Sequence, residues 1–153
     1  MVMRIFKVRE HERGLLFRRD EFVDVLGPGC HVIWDPLRRL RLDKMSIRGP
    51  WLEHPELDLV VRSGALKGQA VVADVKEHER ALVWIDGRFV KILKPGLFAL
   101  WTGFRDVKVE VVDVRTPWLV HKDLDVIARS GALDGQACVV DLKDHEHALV
   151  WID

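Results

Sequence analysis

The histidines are the first side chains in this sequence whose spacing could do chemistry. His145 and His147 flank Glu146, and alternate residues of a strand share a face, so two imidazoles could approach one metal ion. The equivalent segments His11-Glu12-Arg13 and His78-Glu79-Arg80 hold only one histidine each. Two protein ligands make a weak site, and the alternative is a solvated start of a strand. We therefore expect no metal and no other cofactor.

Two serine-containing turns are the next candidates for chemistry. Ser63-Gly64-Ala65-Leu66 and Ser130-Gly131-Ala132-Leu133 could each present a nucleophile. No general base accompanies either serine, and serine with glycine is common in ordinary turns. The sequence also lacks a Ser-His-Asp order, a phosphate-binding glycine loop and a paired-carboxylate motif. We expect no catalytic residue and no enzymatic activity.

The positions of these motifs expose a tandem repeat. His11, His78 and His145 are 67 residues apart, and the same offset aligns Trp51 with Trp118. Such a period indicates repeated structural units. We predict a first β unit at residues 1–75, a second at residues 76–142 and the start of a third at residues 143–153. A unit of this size has marginal stability alone, so the units should share an interface.

Short apolar runs separated by turn residues predict an all-β fold. Each unit contains about six runs of strand length, as expected for small antiparallel sheets or barrel-like modules. Asp86-Gly87 between two such runs predicts a tight hairpin. Residues 57–61 and 124–128 are rich in β-branched side chains and are assigned to strands, residues 69–74 to the closing strand of unit 1. No window predicts a helix.

Residues 148–152 form an apolar strand that lacks the hairpin partner found in the earlier units. An unpaired apolar strand is an aggregation hazard unless something covers it. It could pair with unit 2, with another molecule, or with further residues if the chain is a fragment of a longer protein.

The composition of the chain limits the classes of partner that we expect. Lysine plus arginine and aspartate plus glutamate both number 24, so the formal net charge is zero. Nucleic-acid binding normally needs a basic excess, so we expect no such partner. No apolar run reaches the roughly 18 residues of a membrane helix, which favours a cytoplasmic protein.

Cys30 and Cys138 align with aliphatic residues of the other unit and are expected to be buried, reduced thiols.

The start of unit 1 contains two characteristic stretches, Glu12-Arg13-Gly14-Leu15-Leu16-Phe17-Arg18 and Val25-Leu26-Gly27-Pro28-Gly29-Cys30-His31, and unit 2 keeps the same frame. This pattern resembles the start of the stomatin-like slipins of the SPFH (band 7) superfamily. The resemblance covers about the first 50 residues of each unit and is looser in unit 2. It implies a β-rich module, homo-oligomeric assembly at a membrane surface and no catalysis. A hydrophobic amino-terminal segment and a long coiled coil, both usual in slipins, are not found. Vault-shell repeats are a weaker resemblance.

We therefore expect a structural scaffold that assembles with copies of itself, peripheral to a membrane in a longer parent protein. Arg18, Arg19, Arg38, Arg39 and Arg41 could face anionic lipid there, or form a solvated surface. The alternative function is a monomeric module that binds a peptide or another ligand. The expected interface residues are Trp51, Trp118, His54, His121, Leu149, Trp151 and Ile152.

Overall fold

A computed structural model describes residues 2–153, and within that range the chain forms ten strands and two short helices. Strands hold 43% of the residues and helices 9%, which confirms the predicted all-β class. The sheets are small and antiparallel, and they do not close into a barrel. The elements are β1 (Met3–Val8), β2 (Glu12–Arg18), β3 (Glu21–Leu26), β4 (Gly29–Trp34), β5 (Leu40–Ser46), α1 (Leu57–Ser63), β6 (Ala70–Val75), β7 (Glu79–Ile85), β8 (Arg88–Leu93), β9 (Gly96–Trp101), β10 (Val107–Asp113) and α2 (Leu124–Arg129).

The structure repeats as the sequence does. The first module, β1–β5 with α1, contains a two-stranded sheet β1-β4 and a three-stranded sheet β3-β2-β5. The second module, β6–β10 with α2, contains the corresponding sheets β6-β9 and β8-β7-β10. β6 pairs with β9, as β1 pairs with β4, although the sequence analysis placed residues 69–74 at the close of unit 1.

The Asp86-Gly87 hairpin is confirmed. β7 and β8 pair up to Ile85 opposite Arg88, which leaves two residues in the turn. Asp86 and Gly87 have φ of 50° and 75°. Positive φ at both positions is the type I′ pattern, whose twist matches that of the flanking strands. The first module makes the same turn with Arg19 and Asp20, at φ of 52° and 64°.

The strands predicted at residues 57–61 and 124–128 are wrong, because both segments are helical. In α1, Val60 is buried under the β3-β2-β5 sheet, beside Leu15 and Phe17. Gly64 ends this helix in the left-handed conformation, and its N–H bonds to the Val61 carbonyl. β-Branched residues favour strands only weakly, and burial of one apolar face against the sheet stabilises these segments as helices.

The central strand of each three-stranded sheet is buried on both faces. In β7, Ala81 and Val83 pack against β6 and β9, whereas Leu82 and Trp84 pack under α2. β2 uses Leu15 and Phe17 toward α1 in the same way. The second module is therefore a three-layer stack of the β6-β9 sheet, the β8-β7-β10 sheet and α2.

Residues 137–153 form no strand, so the predicted strand at 148–152 is not formed within this molecule. Both cysteines are free and exposed, which corrects their predicted burial. Cys30 lies on the outer side of β4, and Cys138 lies in the unpaired segment, so neither reaches a core. Neither helix in the described range is long and apolar enough to cross a membrane.

Candidate assembly surfaces

The contact between the two modules is a strand pairing. Residues 50–52 run along the free edge of β9: the Trp101 N–H donates to the Pro50 carbonyl at 2.7 Å, and the Leu52 N–H donates to the Ala99 carbonyl at 2.9 Å. Trp51 forms the intervening bridge with Leu100. Predicted interface residue Trp51 thus lies at the contact between the modules.

One arginine closes this contact from the side. The Arg105 guanidinium donates to the carbonyls of Ile47 at 3.2 Å and Gly49 at 3.0 Å, and also to the Arg48 carbonyl. All three acceptors belong to the first module. A planar guanidinium with several donors suits such a row of carbonyls.

Apolar side chains fill the space between the modules. Ala99 and Trp101 of β9 join the core that lies under α1, where Ile47 and Leu52 are also buried. The Trp51 indole packs on the second module, with the Lys91 ammonium 4.1 Å from its ring centroid. The contact therefore combines main-chain pairing, a guanidinium and a shared core. Below it is called the internal junction.

The first module carries an uncovered version of one side of the internal junction. Val32 and Trp34 on β4 correspond to Ala99 and Trp101 on β9. They are 60% and 53% exposed, whereas their counterparts are almost fully buried. Arg38, the counterpart of Arg105, is exposed. Residues 32–34 are named the β4 surface.

The second module carries an uncovered version of the other side. Val114 is 46% exposed and Trp118 is 62% exposed, whereas their counterparts Ile47 and Trp51 are buried and half-buried. An open groove of about 820 Å³ runs beside Trp118 and Leu119. Residues 114–119 are named the 114–119 surface. It includes the predicted interface residue Trp118.

The remaining apolar residues of the predicted interface lie in the unpaired segment. Leu149 and Trp151 are each 81% exposed, and Ile152 is 62% exposed. The segment Ala148-Leu149-Val150-Trp151-Ile152-Asp153 repeats Ala81 through Asp86 letter for letter. The first five of these residues lie in the central strand β7 in one place, where residues 81–84 are buried, and in an unpaired, exposed segment in the other.

His54 and His121 lie inside their own modules. The Glu56 N–H donates to Nδ1 of His54 at 3.0 Å, so Nε2 carries the proton and donates to Asp43 at 2.8 Å. The imidazole also stacks on Phe17, with ring centroids 5.3 Å apart. His121 repeats this arrangement with Asp123, Glu110 and Trp84. Each imidazole ties the start of a helix to a sheet.

Charges near these imidazoles are paired. A hydrogen bond from the Lys108 ammonium, and a second from His121, lower the pKa of the Glu110 carboxyl below its usual range. In the first module, a hydrogen bond to Glu56 raises the pKa of the Arg41 guanidinium. Arg41 also contacts Asp20 and Asp43, so this member of the basic cluster is balanced by carboxylates.

The candidates for catalysis and metal binding do not form a site in the described range. The Ser63 hydroxyl donates to the Val60 carbonyl and accepts from the Ala65 N–H, as expected of a turn residue at a helix end. Residues 2–153 contain no group of three or more histidine, cysteine, aspartate or glutamate side chains placed to hold a metal ion.

Comparisons with protein-family models, with curated proteins and with solved structures gave no match. The internal repeat therefore supplies the comparison. It identifies three residues that correspond to residues of the internal junction and that the sequence analysis did not include among the interface residues: Val32, Trp34 and Arg38. The signal was available, because all three align with β9 and Arg105, but only the structure shows that β9 lies at a contact.

Proposed function

We propose that this chain is a non-enzymatic structural module that assembles with copies of itself through module–module contacts and an edge strand. The observation that carries the proposal is the exposed segment 148–152, whose identical copy at residues 81–85 lies in β7 and is buried at residues 81–84. Burial of apolar side chains stabilises a strand by roughly 25 cal/mol per Å² removed from water. A sheet of another molecule would supply that burial.

The two uncovered surfaces support the same function. The β4 surface and the 114–119 surface correspond, through the repeat, to the two sides of the internal junction. They lie on different modules, so joining them links one molecule to the next rather than closing a symmetric pair. Contacts of this head-to-tail kind build rings or filaments.

A slipin-type scaffold is the form of this proposal that the residues 12–18 and 25–31 favour. In that form the modules would belong to a longer parent protein at a membrane surface, and the assembled modules would supply the scaffold. The neutral net charge suits contact between like molecules, since no long-range repulsion opposes it.

Light scattering across a concentration series tests self-assembly. The intact chain is expected to show a mass well above 17.7 kDa that rises with concentration. A variant lacking residues 143–153 should stay at monomer mass with an unchanged far-ultraviolet circular dichroism spectrum, since both modules are complete without those residues. His147→Arg, which restores the residue found at position 80, is the matched control and should assemble normally. A monomer mass for the intact chain at every concentration would overturn the proposal.

A second candidate is a monomeric module that binds a peptide, which the open groove beside Trp118 favours. It predicts a constant monomer mass together with quenching or enhancement of tryptophan fluorescence by the bound peptide. Trp118→Ala would remove that fluorescence change without altering the mass.

A further inference from the structure

We infer that assembly proceeds by strand exchange, in which residues 137–153 of one molecule take the place of residues 3–19 in the first module of the next molecule. The inference rests on the proposed self-assembly and specifies its partner and its contact. The donor is the unpaired segment, and the acceptor is the sheet pair formed by β4 with β3 and β5.

The repeat shows which place the unpaired segment fits. Residues 70–86 directly follow the first module and supply β6 and β7. β6 pairs with β9, and β7 lies between β8 and β10. Residues 137–153 follow the second module at the same point of the repeat. Their counterparts in the first module are residues 3–19, which supply β1 and β2.

The turn between the two donor strands is already formed. The Lys143 N–H donates to the Glu146 carboxylate at 3.1 Å, and the Glu146 N–H donates to the Lys143 carbonyl at 2.9 Å. The same two bonds join Arg9 with Glu12 between β1 and β2, and Lys76 with Glu79 between β6 and β7. The segment therefore holds the bend that the acceptor needs before any sheet forms.

The internal junction fixes the direction of approach. If the β4 surface of the next molecule docks on the 114–119 surface as β9 docks on residues 50–52, Val32 and Trp34 become covered. Arg38 then reaches the carbonyls of residues 114–116, as Arg105 reaches those of residues 47–49. These contacts are gained in addition to the exchanged strand.

Docking in this geometry makes residues 137–153 of one molecule compete with residues 3–19 of the next molecule for the same place in its sheets. At the end of the β6–β9 pairing the Thr102 N–H donates to the Gln69 carbonyl at 3.0 Å. At the end of the β1–β4 pairing the corresponding Asp35 N–H donates to the Val2 carbonyl at 3.1 Å. Gln136 is the counterpart of both acceptors. The Gln136 carbonyl of one molecule and the Val2 carbonyl of the next would thus accept from the same Asp35 N–H. The residues that follow Gln136 and Val2 would pair with the same strand, β4.

The donor side chains resemble those at the same positions of the second module, and two of them, Ala148 and Trp151, are larger than the first-module residues that they would replace. Leu149 and Trp151 would replace Leu15 and Phe17 under α1. Ala148 would replace Gly14, where an added Cβ lies 2.7 Å from the Leu42 Cδ1 atom, the mobile end of a side chain that can rotate away. The exchange also breaks the 3.6 Å contact between Arg4 and Asp35, but Asp35 keeps the N–H groups of Arg39 and Leu40.

The first module is the acceptor because exchange there keeps the internal junction intact. Replacement of residues 70–86 in the second module would remove β6, which pairs with β9 at that junction. Replacement of residues 3–19 leaves the pairing of residues 50–52 with β9 in place. Leu149 and Trp151 would take the positions of Leu15 and Phe17 in the core that Ala99 and Trp101 of β9 share.

A register-specific disulfide tests the exchange. Lys7 lies opposite Cys30 on β4, and Asp141 is the counterpart of Lys7, so Asp141→Cys would stand opposite Cys30 of the next molecule. Cys138→Ser is included to leave one thiol in each segment. Mild oxidation of this double variant should give a ladder of covalent dimers, trimers and longer species on a denaturing gel without reductant.

Val140→Cys with Cys138→Ser is the matched control. It would stand opposite His31 and point to the other face of the sheet, so its ladder should be at least about tenfold weaker. Cys30→Ser should abolish the ladder of the first variant. A ladder of equal strength from positions 140 and 141, or none from position 141 while light scattering shows association, overturns the exchange and leaves self-assembly standing. Monomer mass for the intact chain overturns both.

Discussion

His54 and His121 act at the scale of single residues, where each joins three elements of its module. The imidazole accepts a hydrogen bond at the start of the helix, donates to a carboxylate on the edge strand and stacks on the aromatic residue of the central strand. Sequence placed both residues on an assembly surface. In the structure each imidazole makes its hydrogen bonds within its own module, to residues that include one eleven positions earlier in the sequence.

His54→Ala should therefore destabilise the first module. It removes one hydrogen bond to a carboxylate and leaves the Glu56 N–H without its acceptor, which costs about 1.5–3 kcal/mol of the free energy of unfolding. Urea denaturation followed by circular dichroism measures this loss. His78→Ala, at a more exposed histidine, is the control and should change the free energy by less than about 0.5 kcal/mol. Equal effects of the two variants would contradict the role of His54.

At the scale of secondary-structure elements, the hairpin turns adopt backbone conformations that their residues do not all favour. The first module places Arg19 and Asp20 in left-handed backbone conformations that the second module gives to Asp86 and Gly87. The strands and their pairing hold the turn against the preference of its residues.

Asp20→Gly should stabilise the chain, because glycine adopts positive φ without strain. We expect a gain of roughly 0.5 kcal/mol, seen as a higher thermal unfolding midpoint. Gly87→Ala in the matching turn should lower the midpoint. A lower midpoint for Asp20→Gly would mean that the contact of Asp20 with Arg41 outweighs the strain in the turn.

The repeat and the strand positions could be predicted from sequence, whereas the helices could not. Alternation and the Asp86-Gly87 turn are local signals, and the strands they predicted are present. Residues 57–61 carry a strand-like composition, and packing against β2 made them helical. Pro55 before this helix and Gly64 after it were the local signals that could have indicated it. The internal junction joins residues 50–52 to β9, and no local pattern predicts such a contact.

At the scale of the whole molecule, the repeat provides a second, exposed copy of each side of the internal junction. The β4 surface and the 114–119 surface remain uncovered, and the strand that would accompany their union is exposed. Exchange of like strands costs little, since each lost pairing is replaced. The net gain comes from the exchanged strand and the newly covered surfaces together, so loss of residues 143–153 is expected to prevent assembly. The molecule thus carries within itself the geometry of its proposed assembly.

Amide hydrogen exchange of residues 148–152 tests this account most directly, because these residues are unpaired in the single molecule. The identical sequence in β7 provides the reference within the same sample. If residues 148–152 pair with a sheet of another molecule, their protection rises with protein concentration and approaches that of residues 81–85. Exchange of residues 148–152 at the rate of an unstructured peptide at every concentration would contradict it.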